Sequence, residues 1–205
     1  MTSPRLRIPG QIVILNGAPR SGKTSIAKEL QARAVCAWVN LGVDASMAQL
    51  PEALRPGIGL RPGGESPGLE ELVVALYRGL WESIAAHVRD GVNVVVDVGL
   101  HESYSQPRMI RRDGARCLQG LPVLLVGVRC PLDVILERRA ESWGRAGIQD
   151  YEAVERWQSE VHAGLRYDLE VDTAVLTPAE CADLVAIRIQ SGPPGDAFAR
   201  LAPRR

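Results

Sequence analysis

Short apolar runs rich in Val and Ile alternate along the chain with helix-length amphipathic segments. This alternation is typical of βαβ units around a parallel sheet, and the nearly continuous apolar runs indicate strands that helices cover on both faces. The pattern therefore predicts an α/β fold with a five-stranded parallel sheet flanked by helices. The predicted strands cover residues 11–15, 35–40, 92–97, 122–129 and 168–172. The predicted helices cover residues 23–34, 69–90, 106–118, 132–141, 151–163 and 178–189.

Two segments interrupt the alternation. Residues 51–68 hold four prolines and five glycines, too many for a regular element. We expect an excursion over about 45–68 on the substrate side, because long structured loops in compact α/β domains tend to carry function. Periodicity is lost again in residues 191–205, a C-terminal tail that is either loosely held or docked on the surface. Residues 1–190 are predicted to form a single domain.

Composition narrows the class of protein. The chain has 24 basic and 24 acidic residues, and this balance argues against a nucleic-acid partner. Its four cysteines show no CxxC spacing, so neither a zinc ribbon nor a disulfide framework is indicated. Its longest apolar stretch, residues 121–128, is broken by Pro122 and Gly127 and is far shorter than a membrane span of about 20 residues. The expectation is a soluble cytoplasmic protein without a membrane partner.

Residues 17–24 read GAPRSGKT and fit the GxxxxGK[ST] pattern of a phosphate-binding loop. The motif follows an apolar strand and opens a helix, where backbone N–H groups and the helix dipole favour an anion. Lys23, one of only two lysines in the chain, would reach the β and γ phosphates of a nucleotide, and the Thr24 hydroxyl would coordinate Mg²⁺. The alternative is a glycine-rich turn with an accidental Lys-Thr after it. The predicted nucleotide ligands of the loop are Gly17, Ala18, Pro19, Arg20, Ser21, Gly22, Lys23, Thr24 and Ser25.

A phosphate-binding loop alone does not separate kinases from GTPases, motors and nucleotide-regulated switches. The chain has no NKxD signature for guanine, no second nucleotide-binding half and no internal repeat, which disfavours a GTPase, a transporter and a helicase. A kinase-like protein of the P-loop NTPase fold needs three further parts: an acid near the acceptor hydroxyl, an acid near the metal, and lid arginines over the phosphates. The sequence offers a candidate for each.

Two aspartates follow predicted strands at the edge where parallel α/β sheets bind ligands. Asp97 closes the third strand and is a candidate Mg²⁺ ligand, because this ion prefers carboxylate oxygen; the alternative is a turn or helix-cap residue. Asp44 follows the second strand and is a candidate catalytic base for the acceptor hydroxyl. Its alternative is a helix cap, since residues 45–54 could form a short helix. His101 follows Asp97 closely and is placed near the site.

The helix predicted after the fourth strand carries Arg138, and Arg145 follows seven residues later. Such arginines can neutralise charge on the transferring phosphoryl group while a helical lid, here about 138–150, excludes water. Arg138 is therefore a candidate catalytic residue, and both arginines are candidate nucleotide ligands. The alternative is an exposed helix in which the arginines pair with Glu137 and Glu141.

Four further stretches add a family pattern between about residues 11 and 190. They are ILNG at 14–17, LGVD at 41–44, VGVRC at 126–130 and VHAGLRYDLEVDT at 161–173. With the phosphate-binding loop they resemble the chloramphenicol phosphotransferase family of small P-loop antibiotic kinases, relatives of the shikimate and adenylate kinases. The resemblance implies ATP-dependent phosphorylation of a drug hydroxyl, with Asp44 as the catalytic base and with Arg138 and Arg145 at lid positions.

The chain also departs from that family. The paired acids at the end of the third strand appear here as Asp97-Val98, and residues 51–68 and 99–107 differ around the acceptor site, where the substrate is chosen. The leading prediction is an ATP-dependent O-phosphotransferase with a small-molecule hydroxyl acceptor, an antibiotic or another natural product, conferring resistance or self-protection. The alternatives are a metabolite kinase acting on a sugar acid, a shikimate-like compound or a nucleoside, and a nucleotide-gated binding protein without catalysis. A homo-oligomer is compatible with the sequence.

Overall fold

The computed structural model describes residues 8–33, 37–143 and 151–203. Its strands are β1 (Ile12–Asn16), β2 (Trp38–Asn40), β3 (Asn93–Val98), β4 (Val123–Arg129) and β5 (Leu169–Asp172). Its α-helices are α1 (Lys23–Arg33), α2 (Val43–Ala48), α3 (Pro67–Arg89), α4 (Ile110–Cys117), α5 (Leu132–Trp143), α6 (Tyr151–Glu160) and α7 (Pro178–Ser191). Short 3₁₀ helices cover Glu52–Leu54, Gly57–Leu60 and Ala199–Leu201.

The strands form one parallel sheet in the order β2-β3-β1-β4-β5. The predicted α/β architecture with five parallel strands is thereby confirmed. Strand β1 lies at the centre of the sheet, between β3 and β4. Strands β2 and β3 lie on one side of it and β4 and β5 on the other, so the direction in which strands are added reverses at β1. Such a reversal opens a crevice at the carboxyl ends of the strands, where ligands bind in open α/β sheets.

The all-apolar run of β1 is explained by burial on both faces of the sheet. Ile12 and Ile14 belong to the cluster formed with α3 and α4, whereas Val13 and Leu15 belong to the cluster formed with α1 and α7. All four side chains are fully buried. Because alternate residues of a strand point to opposite faces, a strand covered on both sides needs apolar residues throughout. The core thus fixes the end of β1, from which the phosphate-binding loop starts.

Most predicted elements are present with shifted boundaries, and the prediction that a helix begins at residue 106 is wrong. Helix α4 begins only at Ile110, because the preceding loop is held in an irregular path. The buried Glu70 carboxylate accepts hydrogen bonds from the Ser105 N–H and hydroxyl, both at 2.7 Å, and from Arg108 Nε at 2.8 Å. Met109 then adopts a left-handed conformation with φ of 57°. This loop lies at the carboxyl end of β3, beside the crevice.

Smaller differences affect other predicted boundaries. Strand β2 begins at Trp38, and residues 34–36 lie outside the described residues. Helix α6 ends at Glu160 rather than at 163, and a turn follows it. Helix α3 begins at Pro67, inside the segment rich in proline and glycine. Proline suits the first turn of a helix, because its missing N–H has no intrahelical partner there.

Of the two outcomes considered for the C-terminal tail, the described part docks. Phe198 is fully buried and packs against Trp81 with ring centroids 5.7 Å apart. The Asp168 carboxylate accepts hydrogen bonds from the backbone N–H groups of Asp196 and Ala197, at 2.9 and 3.1 Å. The tail therefore extends the core beside α3.

Among the helices of the described ranges, none combines the length and apolarity that crossing a bilayer requires.

Candidate active site

The phosphate-binding loop connects β1 to α1 and has backbone conformations that side chains rarely adopt. Arg20 has φ of 69° and Gly22 has φ of 95°. Gly17 is needed for a different reason, because a Cβ atom there would lie 2.5 Å from the carbonyl oxygen of Val128. Non-glycine residues with positive φ are uncommon and concentrate at functional sites. The loop therefore has the compact, strained shape that lets backbone N–H groups surround a phosphate.

Lys23 is the first residue of α1, and its side chain is almost completely buried. Its Nζ donates a hydrogen bond to the carbonyl oxygen of Ala18 at 2.9 Å and lies 3.6 Å from Asp97 Oδ1. Burial lowers the pKa of Lys23, although Asp97 and Asp44 act in the opposite direction. A buried ammonium group in a loop of this shape is placed to meet phosphate oxygens.

Thr24 and Asp97 form the pair expected of a magnesium site. The Thr24 hydroxyl donates to Asp97 Oδ2 at 2.5 Å, which brings two oxygen ligands together beside the phosphate-binding loop. Within the part of the chain that the structure describes, no group of three or more His, Cys, Asp or Glu residues is arranged to hold a metal. Magnesium in phosphoryl-transfer sites uses one or two carboxylates together with phosphate oxygens and water, so this sparse pair fits the ion.

Asp44 lies in the first turn of α2, next to the strand end that carries Asp97. The N-cap of α2 is Gly42, and no side chain caps this helix, so the structure does not use Asp44 as a cap. Gly42 lets the start of α2 approach the end of β3, because a Cβ atom there would lie 3.5 Å from Asp97 Cβ. Desolvation and the charge of Asp97 raise the pKa of Asp44, and Lys23 opposes them. A carboxylate with a raised pKa is a better proton acceptor than an ordinary one.

These residues line one open cavity of about 650 Å³ at the carboxyl end of the sheet. The cavity is large enough for a small organic ligand. It brings together the loop, both predicted acids and Arg138, whereas Arg145 lies outside the described residues. The residues that line it are Pro19, Arg20, Gly22, Lys23, Thr24, Ser25, Asp44, Asp97, Arg138, Glu141, Ser142, Thr173 and Pro178.

Arg138 reaches the phosphate-binding loop from α5, and its described hydrogen bonds are to protein groups. Residues 144–150 of the predicted lid lie outside the described residues. The Arg138 Nη2 donates to the carbonyl oxygen of Thr173 at 2.7 Å, and its Nη1 donates to Thr173 Oγ1 at 3.0 Å and to the carbonyl oxygen of Arg20 at 3.3 Å. The alternative, in which Arg138 pairs with glutamates of its own helix, does not occur among the ion pairs of the described residues. The guanidinium group is therefore fixed at the rim of the cavity.

Thr173 is the residue that sequence reasoning missed. Its hydroxyl donates to the carbonyl oxygen of Ser21 at 2.8 Å while accepting from Arg138, so it joins the loop to α5. The side chain is largely buried. Its position directly after the fifth predicted strand, at the same sheet edge as Asp97, was the available signal.

Replacing Thr173 by valine is expected to raise the KM for the nucleotide about 30-fold, because the change removes two hydrogen bonds worth roughly 1 kcal/mol each while keeping the side-chain volume. Serine keeps the hydroxyl, so Thr173→Ser should stay close to the wild type. Steady-state kinetics over a range of ATP concentrations, together with calorimetric nucleotide binding, measures the difference. An unchanged KM in Thr173→Val, or equal losses in the two variants, would contradict this role.

His101 is close to the crevice but does not line the cavity. Its ring packs against Tyr104 and Trp157, with centroids 4.3 and 5.3 Å apart, and its Nε2 lies 3.0 Å from the carbonyl oxygen of Leu60. Burial lowers the pKa of His101 to about 4, so the ring is neutral at pH 7. The residue therefore has a packing role between the loop after β3 and the segment rich in proline and glycine.

Helix α6 holds the segment rich in proline and glycine beside the crevice. Arg156 donates to the carbonyl oxygen of Pro62 at 3.2 Å and pairs with Glu65. The Gly63 N–H also donates to the carbonyl oxygen of Ser103 at 2.8 Å. The excursion is thus held both to α6 and to the loop after β3.

Comparison with known proteins identifies the family. A family model described as chloramphenicol phosphotransferase-like protein matches residues 10–190, nearly the whole described chain. The chain belongs to the chloramphenicol phosphotransferase-like family. The predicted resemblance is thereby confirmed. Two relatives from Mycobacterium tuberculosis strains CDC 1551 and H37Rv, named as O-phosphotransferases without a stated substrate, are 26% identical over 95% of this chain and 89% of their own length.

Solved structures confirm the fold of this family member. The APS kinase of Mycobacterium tuberculosis, in complex with AMPPNP and APS, has a TM-score of 0.64 at 20% identity, covering 89% of this chain and 99% of that one. The Deinococcus radiodurans tunicamycin resistance protein has a TM-score of 0.55 at 22% identity, covering 88% and 96%. The shikimate kinase of Acinetobacter baumannii, in complex with shikimate, has a TM-score of 0.55 at 13% identity, covering 89% and 94%.

The enzyme class follows from this membership. The protein is a kinase-like phosphotransferase that acts on a hydroxyl group of a small molecule. The alternative of a nucleotide-gated binding protein without catalysis does not agree with that class.

Proposed function

We propose that this enzyme transfers the γ-phosphoryl group of ATP to a hydroxyl of an antibiotic or a comparable natural product, and thereby confers resistance or self-protection. The observation that carries the proposal is the shared cavity, whose lining includes Asp44, the Thr24–Asp97 pair and Lys23, with the Lys23 ammonium group 3.6 Å from Asp97 Oδ1. Membership of the chloramphenicol phosphotransferase-like family supports an antibiotic acceptor. The similar fold of a tunicamycin resistance protein is consistent with it.

Asp44 is proposed as the catalytic base. Its carboxylate would accept the proton of the acceptor hydroxyl while that oxygen forms a bond to the γ-phosphorus and the bond from the γ-phosphorus to the β–γ bridging oxygen breaks. ADP then leaves with the bridging oxygen. The raised pKa of Asp44 favours this proton transfer. Its position on α2 and in the lining of the cavity supports this role, because an acceptor bound beside the phosphates would meet the carboxylate there.

The phosphates are proposed to lie on the loop between Gly17 and Ser25. Lys23 and the N-terminus of α1 would stabilise charge on the β and γ phosphates, and Arg138 would act on the transferring group from the lid side. Thr24 Oγ1 and Asp97 Oδ2 would hold Mg²⁺, which when bound neutralises phosphate charge and orients the phosphate oxygens. The chain's own contribution is to hold these groups in place before the nucleotide arrives.

A panel of acceptors tests the proposal. Purified enzyme is incubated with Mg·ATP and hydroxylated antibiotics, including chloramphenicol and tunicamycin, and in parallel with APS, shikimate, gluconate and nucleosides. Mass spectrometry should find a phosphorylated form of at least one antibiotic, with matching release of ADP. Phosphorylation confined to the metabolites would overturn the antibiotic acceptor and would establish the metabolite-kinase alternative.

The pH profile should report the raised pKa of Asp44. Catalysis needs the ionised carboxylate, so activity is present above that pKa and is lost as the pH falls through it. We expect the acid limb of kcat/KM to lie above the ordinary carboxyl value of 3.8. Burial lowers the pKa values of His101 and His162 to about 4, so neither ring should produce a limb near 6.5. A limb near 6.5 that disappears in His162→Gln would contradict the assignment.

A further inference from the structure

Three of the stretches that carry the family pattern, residues 14–17, 126–130 and 161–173, meet at one buried side chain, Asn16. Asn16 ends β1 and directly precedes Gly17, the first residue of the phosphate-binding loop. Its side chain is fully buried, and the four residues of β1 before it are apolar. A buried amide is costly unless its polar atoms are paired, so an amide at this point of the core indicates a specific role for its hydrogen bonds.

The amide of Asn16 joins three parts of the chain. Its Oδ1 accepts from the backbone N–H of Leu100 at 2.7 Å, and its Nδ2 donates to the carbonyl oxygen of Val161 at 2.8 Å and to the Tyr167 hydroxyl at 2.9 Å. A backbone N–H can only donate and a carbonyl oxygen can only accept, so the amide has a single orientation. The end of β1 is thereby tied to the loop after β3 and to the turn that follows α6.

Tyr167 is placed to orient that amide. Asn16 is the register partner of Gly127 on β4, and a Cβ atom at Gly127 would lie 2.7 Å from the Tyr167 ring. Glycine therefore leaves the space in which the ring lies beside Asn16. Because the Tyr167 hydroxyl accepts from Asn16, it donates its own proton to His162 Nδ1, 2.6 Å away. Burial lowers the pKa of His162 to about 4, so the ring is neutral at pH 7 and Nδ1 can accept.

Arg111 fixes the segments that Asn16 contacts. Its side chain is buried, and its guanidinium group donates to the carbonyl oxygens of Leu100 at 2.6 Å and Glu160 at 3.1 Å. Leu100 is thus held at its N–H by Asn16 and at its carbonyl by Arg111. It follows Asp97, the candidate magnesium ligand, by three residues. These hydrogen bonds add a fixed connection between the start of the phosphate-binding loop and the segment that carries Asp97.

We propose that Asn16 is a positioning residue of phosphoryl transfer and that Tyr167 orients its amide. The amide keeps the start of the phosphate-binding loop in place relative to the segment after Asp97, so that Lys23 and Asp97 meet the transferring group together. Neither Asn16 nor Tyr167 lines the cavity of the candidate active site, so both act through other residues. A displacement of about 1 Å can lower a rate about 10²-fold. This role rests on the proposed binding of ATP to the loop, and it does not depend on which acceptor is used.

Two variants weaken the connection to different extents. Asn16→Ala removes all three hydrogen bonds of the amide, whereas Tyr167→Phe removes only the hydroxyl and keeps the ring over Gly127. With saturating Mg·ATP and the acceptor found in the panel, kcat should fall about 10²-fold in Asn16→Ala and about tenfold in Tyr167→Phe. The calorimetric Kd for Mg·AMPPNP should change little, because the loop keeps its backbone N–H groups and Lys23. If Asn16→Ala does not fold, Tyr167→Phe decides alone.

Asn93→Ala is the matched control. Asn93 begins β3, and its Oδ1 accepts from the backbone N–H of Gln11 at 2.8 Å. It therefore ties β3 to the residue before β1, at the end of these strands that lies away from the active site. All variants are assayed per folded molecule, below their unfolding temperatures. Asn93→Ala should unfold at a lower temperature than the wild type but keep its kcat.

The kinetics decide between a positioning role and a purely structural one. If Asn16→Ala and Tyr167→Phe lose only thermal stability, as Asn93→Ala does, or if kcat falls equally in Asn93→Ala, the positioning role is wrong. It is also wrong if the affinity for Mg·AMPPNP falls as much as kcat, because the amide would then act on binding. A wild-type protein that does not bind Mg·AMPPNP would overturn the proposed function first, and the role of Asn16 with it.

Discussion

Lys23→Met is expected to lower kcat for phosphoryl transfer by roughly 10²–10³-fold, the loss typical of removing one positioned charge-stabilising donor. The Nζ of Lys23 lies over the phosphate-binding loop, hydrogen-bonded to Ala18 and 3.6 Å from Asp97 Oδ1. Methionine keeps the length and the apolar stem of the side chain but has no charge. The loss should therefore fall on catalysis and nucleotide binding rather than on packing.

The chain offers a matched control for this variant. Lys28 is the only other lysine, lies on the same helix, and is exposed. Lys28→Met should keep wild-type kinetics. Thermal unfolding tests whether the variant still folds normally. Burial lowers the pKa of Lys23, so the charged ammonium group disfavours the folded state and its removal should not destabilise the protein. Lys23→Met should unfold at the wild-type temperature or above it. Equal activity of the two methionine variants would remove Lys23 from the site.

Asp44→Asn is expected to lower kcat by about 10²–10⁴-fold, the usual contribution of a positioned general base, with little change in nucleotide affinity. An amide cannot accept the acceptor's proton, but it retains the size of the carboxyl group. Single-turnover kinetics with saturating acceptor, and calorimetric binding of Mg·AMPPNP, measure the two quantities separately.

Glu52→Gln is the matched control for Asp44→Asn. It makes the same carboxylate-to-amide change at an exposed position of the excursion that follows α2, and it should leave kcat unchanged. Asp97→Asn is expected to weaken the binding of Mg·ATP, because Asp97 contacts Thr24 and Lys23. If Asp44→Asn keeps its kcat, or loses nucleotide affinity as Asp97→Asn does, Asp44 is not the base.

The parts of the fold that could be predicted from the sequence are those set by local pattern. Strand β1 is apolar at every position before Asn16 because two helical layers cover it, and the loop motif follows it directly. The grouping of Lys23, Thr24 and Asp97 also follows from pattern, since strand ends in a parallel sheet share one edge. These features needed no knowledge of distant contacts.

Features that depend on contacts between distant residues could not be predicted. The late start of α4 is caused by Glu70, which holds Ser105 from another helix. The docking of Phe198 depends on Trp81, and the role of Thr173 depends on Arg138 reaching back to the loop. No period or spacing in the sequence encodes these pairs.

Asp44 shows where local reasoning leaves two readings open. Its position after a strand and before a possible short helix suits both a base and a cap. The structure places Gly42 at the cap and Asp44 in the cavity, so the cap reading is wrong. The catalytic role remains a prediction that kinetics must test.

Transfer of labelled phosphate tests the central proposal most directly. The enzyme is incubated with ATP whose γ-phosphoryl group carries ¹⁸O at its three non-bridging oxygens, Mg²⁺ and the acceptor found in the panel. Mass spectrometry and ³¹P NMR then follow the label. The predicted result is an acceptor phosphate that carries all three ¹⁸O atoms and is joined through the acceptor's own oxygen, formed by the wild type and strongly suppressed in Asp44→Asn. Release of the label only as inorganic phosphate, with no phosphorylated acceptor, would contradict the proposed function.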